Sequence, residues 1–207
     1  MKPILLGHRG ARAVRQIPEN TLASFELCLQ HGCDGFEFDL RLSADGQAVI
    51  CHDATVGGME IANTASETLP LPTLEDVLRP FAHRAFLDIE LKVAGLDAQT
   101  VAELRKHPPQ KGYFVSSFLP DVLTAIHDLD PAISLGFLCD TREQLRSWPQ
   151  MPMEWVIPHF KLVDRELIGL IHEAGKKIMV WTVNGAKRMR EFAEWGVDAI
   201  ISDETEL

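Results

Sequence analysis

The segment Asp34-Gly-Phe-Glu-Phe-Asp-Leu40 alternates aromatic and acidic side chains. Side chains two residues apart lie on the same face of a β-strand, so both phenylalanines face one way while Glu37 and Asp39 face the other. Two like charges on one face repel each other. A divalent cation converts that repulsion into coordination, because hard cations bind carboxylate oxygens. The segment therefore predicts a strand that carries two metal ligands.

A second segment, Phe86-Leu-Asp-Ile-Glu-Leu-Lys92, repeats this alternation and places Asp88, Glu90 and Lys92 on one face. Glu90 is the natural third ligand of the metal. Asp88 is expected to form a structural salt bridge or hydrogen bond. Each acidic pair on its own could also face solvent. The strands are apolar and belong to an α/β pattern in which both sheet faces are covered, so the charges need partners, and a metal ion and Lys92 supply them.

Short apolar runs alternate with amphipathic stretches along the whole chain. Strands are predicted at 3–8, 34–40, 85–91, 113–117, 132–138, 154–158, 177–183 and 198–202. Helices are predicted at 20–31, 73–80, 97–107, 120–129, 141–148, 164–175 and 186–195. Eight βα repeats with short connections favour a closed (β/α)8 TIM barrel over a doubly wound sheet, whose Gly-x-Gly-x-x-Gly loop is missing.

The 207 residues are expected to form a single domain. Only four residues follow Ser202-Asp203, so the C-terminal helix of the barrel is expected to be absent or reduced. One insertion follows the second strand. Asp45-Gly46 is typical of a hairpin turn, and the returning strand would bring His52 over the barrel mouth. Residues 54–72, rich in Gly, Thr, Ala and Pro, predict an extended loop.

Composition limits the kind of partner. Thirty acidic and twenty basic residues give a net charge of -10, which argues against extended nucleic-acid binding. A small phosphate ligand is compatible with this charge, because a bound metal, Arg9 and Lys92 reverse the local field. The chain shows neither a secretory signal nor a membrane-spanning apolar stretch, so we expect a cytoplasmic location without stable membrane association. The four cysteines lack CxxC spacing and are expected to be reduced packing residues.

Polar residues cluster where the predicted strands end, at the mouth on which barrel enzymes carry their chemistry. They are His8 and Arg9, Glu37 and Asp39, Glu90 and Lys92, Ser117, Trp181 and Asn184, and Asp203. Two histidines, three carboxylates and two cations suit metal-assisted chemistry on a phosphate ester. Trp181 is expected to form a wall of the substrate site, and His159 a substrate contact.

The motifs resemble, in order, those of the glycerophosphodiester phosphodiesterase family. They are Gly7-His-Arg-Gly10, Pro18-Glu-Asn-Thr21, Glu37-x-Asp39, His52-Asp53, Leu71-Pro-Thr-Leu74, Glu90-Leu-Lys92, Trp181-Thr-Val-Asn184, and Gly196-Val-Asp198 through Ser202-Asp203. The resemblance spans nearly the whole chain. It implies a (β/α)8 fold and the hydrolysis of glycerophosphodiesters to an alcohol and glycerol 3-phosphate, usually with a divalent metal such as Mg²⁺, Ca²⁺ or Mn²⁺.

The resemblance also implies a role for each group at the mouth. The metal ligands are Glu37, Asp39 and Glu90, the acid–base pair is His8 and His52, and the phosphate contacts are Arg9 and Lys92. Two features depart from the family pattern: a compressed segment after Asp53 and the short C-terminus. The resemblance leaves open which histidine is the acid and whether a cyclic phosphate forms. The preferred head group and the oligomeric state are also open.

Two other functions are compatible with these motifs. A lysophospholipase D or a phosphatidylinositol-phospholipase-C-like enzyme would use the same chemistry on lipid head groups and would want an apolar rim. The candidates for that rim are Met59, Ile61, Phe118 and Leu119. A non-catalytic barrel that binds phosphodiesters would need cations but has little use for a paired acid and base. The presence of both histidines and all three carboxylates favours the enzyme.

Overall fold

In the computed structural model, which describes residues 2–206, eight parallel strands pair side by side and the last closes onto the first. The strands of the chain are β1 (Ile4–Gly7), β2 (Gly35–Leu42), β3 (Ala48–Ile50), β4 (Thr55–Val56), β5 (Met59–Glu60), β6 (Phe86–Leu91), β7 (Tyr113–Ser117), β8 (Leu135–Cys139), β9 (Trp155–Pro158), β10 (Lys177–Val180) and β11 (Ala199–Ser202). All of them except β3, β4 and β5 form the barrel. The predicted (β/α)8 TIM barrel is confirmed.

Seven α-helices occupy the connections between the barrel strands. They are α1 (Leu22–Gln30), α2 (Leu74–Phe81), α3 (Asp97–Lys106), α4 (Pro120–Leu129), α5 (Arg142–Ser147), α6 (Arg165–Glu173) and α7 (Ala186–Trp195). Each coincides with a predicted helix to within two residues at either end. No helix within residues 2–206 is both long enough and apolar enough to cross a membrane.

The alternation on β2 sorts its side chains between two environments. Phe36 and Phe38 pack outward on α1, where the Phe36 ring stacks on Phe25 with centroids 4.2 Å apart. Glu37 and Asp39 point to the opposite face, into the barrel. A second apolar cluster fills the barrel interior and includes Leu6 of β1. The strand therefore carries its charges inward because its aromatic face is anchored on the helices.

The insertion after β2 is a hairpin, as predicted. β3 pairs antiparallel with the end of β2, with Leu40 opposite Ile50. The segment predicted as an extended loop is more regular than expected, because β4 and β5 form a second small hairpin and two short 3₁₀ helices follow it. Gly57 and Gly58 both have positive φ, which is what a two-residue turn of type I′ requires.

The predicted strand 177–183 is three residues too long. Val180 still pairs with Ile200 on β11, but the next hydrogen bond joins Val183 N–H to the carbonyl of Ile201. In a parallel pair the N–H donates to the residue before its own partner, so this bond aligns Val183 with Ser202. The chain after β10 thus advances three residues while β11 advances two, and the one extra residue leaves the ladder as in a bulge. Trp181 lies in this bulge and forms an isolated bridge with His159.

The end of the described chain contains no eighth helix, as expected. Residues 203–206 continue from β11 without regular structure. They return to the end of α1, where Thr205 Oγ1 lies 2.7 Å from His31 Nδ1. All four cysteines are free, as predicted.

We expect Gly35→Ala to destabilise the barrel by about 3 kcal/mol or more. A Cβ at residue 35 would lie 1.8 Å from the carbonyl oxygen of Phe86 on the adjacent strand, so the two strands would have to separate. The matched control is Gly169→Ala on the exposed face of α6, where a Cβ meets no atom within 4 Å. This control should stabilise by about 0.5–1 kcal/mol, because alanine favours the helix. Urea unfolding of both variants tests this, and equal midpoints would contradict the clash.

Candidate active site

A cavity of about 160 Å³ opens at the carboxyl ends of the barrel strands. Its lining residues are His8, Arg9, Glu37, His52, Asp88, Glu90, Lys92, Phe118, Leu138, Trp181 and Ile201. Seven of the eight predicted site residues are among them. The eighth, Asp39, lies directly beside Lys92 and Arg9. The structure therefore brings the whole predicted site together at one mouth.

Three carboxylates meet on the wall between β2 and β6. The strand register places Asp39 opposite Glu90. Glu37 lies two residues before Asp39 and therefore on the same face of β2. One oxygen from each of the three residues lies within 4.8 Å of the others. Their exposed fractions are only 3% for Glu37, 1% for Asp39 and 7% for Glu90. Buried carboxylates at this spacing need positive charge between them.

Three buried oxygens of this carboxylate group accept no hydrogen bond: Glu37 Oε1, Asp39 Oδ1 and Glu90 Oε1. Lys92 Nζ lies 3.4 Å from Asp39 Oδ1. The second oxygens of Glu37 and Asp39 accept bonds from the Arg9 N–H at 3.0 Å and from Asn20 Nδ2 at 2.8 Å. The third carboxylate, Glu90, places Oε1 2.6 Å from Lys92 Nζ. Unpaired, buried, anionic oxygens are the donors that hard divalent cations prefer. The three residues thus fit the metal site predicted from the sequence.

The surroundings raise the pKa of two of these carboxyls and lower that of the third. Burial raises the pKa of Glu37 well above its ordinary value, and the charges of Asp39 and Glu90 raise it further. Burial and Asp39 raise the pKa of Glu90 to about 7, against the opposing effect of Lys92. Burial also opposes ionisation of Asp39, but Lys92 and Arg9 outweigh it and the pKa is lowered. A bound cation would displace the remaining protons.

Arg9 is held at the mouth by its backbone. Its φ of 52° lies in the left-handed region, which costs a non-glycine residue about 1–2 kcal/mol. Three hydrogen bonds hold this conformation: the Arg9 N–H donates to Glu37, and the Arg9 carbonyl accepts from Asn20 N–H and Ser24 Oγ. The side chain then reaches Asp39, with Nε 3.3 Å from Oδ2. Such strain is typical of residues fixed at functional sites.

The two histidines lie on different elements and share one arrangement. His8 follows β1 and His52 follows β3, and each has Nδ1 2.7 Å from an aspartate oxygen, of Asp203 and Asp53 respectively. In both rings Nε2 is left available to the cavity, and that of His8 lies 3.9 Å from Glu37. Burial lowers the pKa of His8, although the hydrogen bond to Asp203 opposes this. His52 is more open, with 35% of its side chain exposed.

An aromatic wall faces the carboxylates. Trp181 packs edge-on against Phe118 with centroids 5.5 Å apart, and Lys92 Nζ lies 5.7 Å from the Phe118 ring centre. The indole N–H of Trp181 donates to the Ile157 carbonyl at 2.9 Å, so Trp181 offers the cavity a ring face and no free donor. The predicted wall position of Trp181 agrees with this geometry. His159 packs behind Trp181 and does not line the cavity, contrary to its expected substrate contact.

Two polar residues expected at strand ends have structural contacts. Ser117 Oγ donates to the Leu91 carbonyl, and Asp88 accepts a hydrogen bond from Ser116 Oγ, as expected for Asp88. Sequence reasoning missed the contact of Asn20 with Asp39. The segment Pro18-Glu-Asn-Thr21 was considered as a family motif at the start of the predicted helix, and within it Thr21 caps α1. The signal that could have revealed this contact is the amide side chain of Asn20, which takes no part in capping α1 and is therefore free to bind elsewhere.

The comparison with protein families agrees with this geometry. The model described as the glycerophosphoryl diester phosphodiesterase family matches residues 8–78 and 59–207. The chain belongs to this family. A glycerophosphodiester phosphodiesterase of Caldanaerobacter subterraneus subsp. tengcongensis is 27% identical, over 100% of this chain and 96% of the relative. A Bacillus subtilis glycerophosphodiester phosphodiesterase is 25% identical, over 99% of this chain and 84% of the relative.

Solved structures share the whole fold. An Oleispira antarctica phosphodiesterase, determined in complex with the product sn-glycerol-3-phosphate, superposes with a TM-score of 0.87 at 27% identity and covers 99% of this chain and 94% of its own. The glycerophosphodiester phosphodiesterase of Thermotoga maritima superposes with a TM-score of 0.85 at 25% identity, over 100% of this chain and 96% of its own.

In the metal-free protein, the free energy of unfolding should fall as the pH rises from about 5 to 8. The carboxyls of Glu37 and Glu90 have raised pKa values in the folded state, so the unfolded chain releases their protons first and is favoured as the pH increases. Glu37→Gln should flatten this dependence, because the amide has no proton to release. Urea unfolding in chelator at three pH values measures it.

Glu26→Gln is the matched control for this measurement. Glu26 lies on the surface beside Arg84, which lowers the pKa of its carboxyl, so its loss should leave the slope between pH 5 and 8 unchanged. Parallel stability curves for the wild type and Glu37→Gln would show that Glu37 does not hold its proton in the folded state.

Proposed function

We propose that this mouth carries out the reaction of the family, hydrolysis of a glycerophosphodiester to an alcohol and glycerol 3-phosphate. The observation that carries the proposal is that two groups of side chains meet at one small cavity. The first is the three buried carboxylates, whose oxygens include ones without a hydrogen bond, and beside them are two histidines whose Nε2 atoms are available. A general acid and base next to a cation site is the combination that phosphodiester hydrolysis needs.

Glu37, Asp39 and Glu90 would hold the metal, with Mg²⁺, Ca²⁺ and Mn²⁺ as candidates. A divalent cation bound there supplies a Lewis acid for a non-bridging phosphoryl oxygen. Arg9 and Lys92 line the same cavity and neutralise the charge that builds up on the phosphoryl group in the transition state. Both cations are fixed in advance by the carboxylates, so little reorganisation is needed when substrate binds.

The two histidines divide the proton transfers between them. One accepts the proton of the attacking oxygen, and the other protonates the departing alkoxide, which is too basic to leave unaided at neutral pH. The paired aspartates hold each Nδ1, so both transfers run through Nε2. Trp181 and Phe118 form the wall against which the glycerol or alcohol moiety lies.

The substrate is proposed to be a small molecule, and the product glycerol 3-phosphate, as in the Oleispira antarctica relative. The lipid-directed alternative needs an apolar rim. Ile61 is buried with Val49 and Leu69, and Met59 packs on the same cluster. Of the four rim candidates only Leu119 counts as exposed, at 42%. The structure therefore favours soluble head groups, while the cytoplasmic location stays a prediction.

Activity should require a divalent metal. Excess chelator should abolish turnover of glycerophosphocholine. Glu37→Gln or Asp39→Asn should reduce kcat/KM by more than about a hundredfold, because the loss of a residue that only supports a metal ligand already costs up to about a hundredfold. The control is Glu75→Gln. Glu75 belongs to a second cluster of possible ligands, with Glu103 and His107, on α2 and α3. Full activity of the wild type in chelator would refute the metal role. Loss of activity in Glu75→Gln would indicate that the required metal binds at the cluster that contains Glu75 and not at the three carboxylates of the mouth.

The two histidines should differ in how their loss depends on the leaving group. A general acid contributes about 10²- to 10⁴-fold when the departing alcohol is basic, but little when the leaving group is p-nitrophenol. We expect His8→Ala and His52→Ala to diverge when both are assayed on glycerophosphocholine and on a p-nitrophenyl phosphodiester. His172→Ala, on the outside of the barrel, serves as the control. Equal losses for His8→Ala and His52→Ala on both substrates would contradict an acid–base division.

A further inference from the structure

The closure of the barrel brings Asp203 to His8. In the pairing of β1 with β11, Gly7 lies opposite Ser202, and the His8 N–H donates to the Ser202 carbonyl at 2.8 Å. The residues that follow each strand are therefore neighbours although they are 195 positions apart. Asp203 Oδ1 lies 2.7 Å from His8 Nδ1. Asp203 itself does not line the cavity, so any part that it plays in the reaction runs through His8.

The surroundings of Asp203 favour its ionised form and fix the orientation of its carboxylate. Its Oδ1 also accepts from Arg12 Nη1 at 3.0 Å, and its Oδ2 from Asn184 Nδ2 at 2.9 Å. The Asp203 N–H donates back to Asn184 Oδ1 at 3.0 Å. Burial opposes ionisation, but the hydrogen bonds from His8, Asn184 and Arg12 outweigh it and hold the pKa of Asp203 well below its usual range. An ionised carboxylate can only accept hydrogen bonds, so Nδ1 of His8 must be the protonated ring nitrogen.

We propose that Asp203 is the positioning residue of His8: it fixes the neutral imidazole in the Nδ1–H tautomer, so that the basic lone pair of Nε2 faces the cavity. The inference rests on the proposed role of His8 in hydrolysis. Without this partner the neutral ring exchanges between two tautomers, only one of which presents an acceptor to the attacking oxygen or, after protonation, a donor to the alkoxide.

A ring of ion pairs ties this contact to Arg9. Arg12 Nε binds Glu19 Oε2 at 2.7 Å, and Glu19 Oε1 binds Arg9 Nη1 at 2.6 Å. Arg9 is the chain neighbour of His8, so the sequence of contacts His8, Asp203, Arg12, Glu19, Arg9 closes on itself. The phosphate-binding arginine and the histidine are thereby held by one shared network. Arg12 and Glu19 hold these two residues in place although neither lines the cavity.

The competing explanation is that Asp203 only fastens the end of the barrel. A fastening role and a positioning role predict different couplings between mutations. If Asp203 acts through His8, mutating Asp203 should have no further effect on kcat in a variant that already lacks the His8 ring. If Asp203 only stabilises the fold, its loss adds to that of His8 and tracks the melting temperature.

The kinetic test uses the metal-loaded full chain and glycerophosphocholine. Asp203→Asn should lower kcat about 10²- to 10⁴-fold with KM little changed. In the His8→Ala background the same change should lower kcat by less than about twofold, since no ring remains to be oriented. Asp203→Glu should recover part of kcat by restoring the charge. Losses that multiply in the double variant would overturn the proposal.

The control for a general loss of stability is Asp198→Asn. Asp198 pairs with His172 at 2.9 Å on the outer side of the barrel, so its loss disturbs a similar contact far from the cavity and should leave kcat unchanged. If Asp203→Asn does not fold, Arg12→Gln provides the second variant. It removes one partner of Asp203 while leaving the His8 contact in place, and a drop in kcat of about tenfold without a change in KM is expected.

A measurement independent of activity reads the tautomer directly. Nitrogen-15 spectra of the wild type, with ring signals assigned by comparison with His8→Ala, should show a pyrrole-type Nδ1 and a pyridine-type Nε2 for His8, and Asp203→Asn should mix or reverse them. The reverse tautomer in the wild type would overturn the proposal whatever the kinetics show. If the expected tautomer is present but His8→Ala keeps full activity, the proposed role of His8 in hydrolysis fails while the positioning by Asp203 stands.

Discussion

Three carboxylates buried within a few ångströms of one another impose the main constraint on this structure. Their mutual repulsion opposes folding, and Glu37 in particular lies among three other acidic groups. Packing on the opposite face of the same strand offsets this repulsion. Phe36 and Phe38 pack with Phe25 of α1 in one aromatic cluster. Apolar packing outside the barrel thus holds in place the charges inside it.

The positive groups at the mouth balance those charges unevenly. Lys92 lies between Asp39 and Glu90, and Arg9 lies between Asp39 and Glu19, but Glu37 receives only a backbone N–H. The deficit of positive charge is therefore greatest around Glu37, next to the cavity. This is where an incoming divalent cation gains most, and where His8 Nε2 is closest to the carboxylate group.

Sequence periodicity predicted the elements because strands and helices obey local rules. The alternation on β2 and β6, the start of α2 and the position of each βα unit all depend on patterns within a few residues. The grouping of the proposed site residues could be predicted for a related reason: in a barrel, the strand ends meet at one mouth whatever the helices between them contain.

The parts that escaped prediction depend on register between distant segments. The contact of Asp203 with His8 exists only because β1 and β11 pair with Gly7 opposite Ser202, and no local pattern specifies that offset. The bond of Asn20 to Asp39 likewise requires the left-handed backbone at Arg9 and Asn20. The slip of one residue after Val180 is set by the neighbouring strand β11, which continues without a bulge.

The position of His52 on the inserted hairpin has a consequence for how such an enzyme evolves. His8 and the three carboxylates belong to barrel strands or follow one directly, so their spacing is set by the barrel itself. His52 stands on an appendage attached through β3 and through the bond of Arg41 Nε to its carbonyl. Insertions, deletions or substitutions in that appendage can therefore move His52 relative to the three carboxylates of the barrel. On the proposed roles of these residues, the barrel would keep the metal site constant while the hairpin changed which leaving groups are accepted.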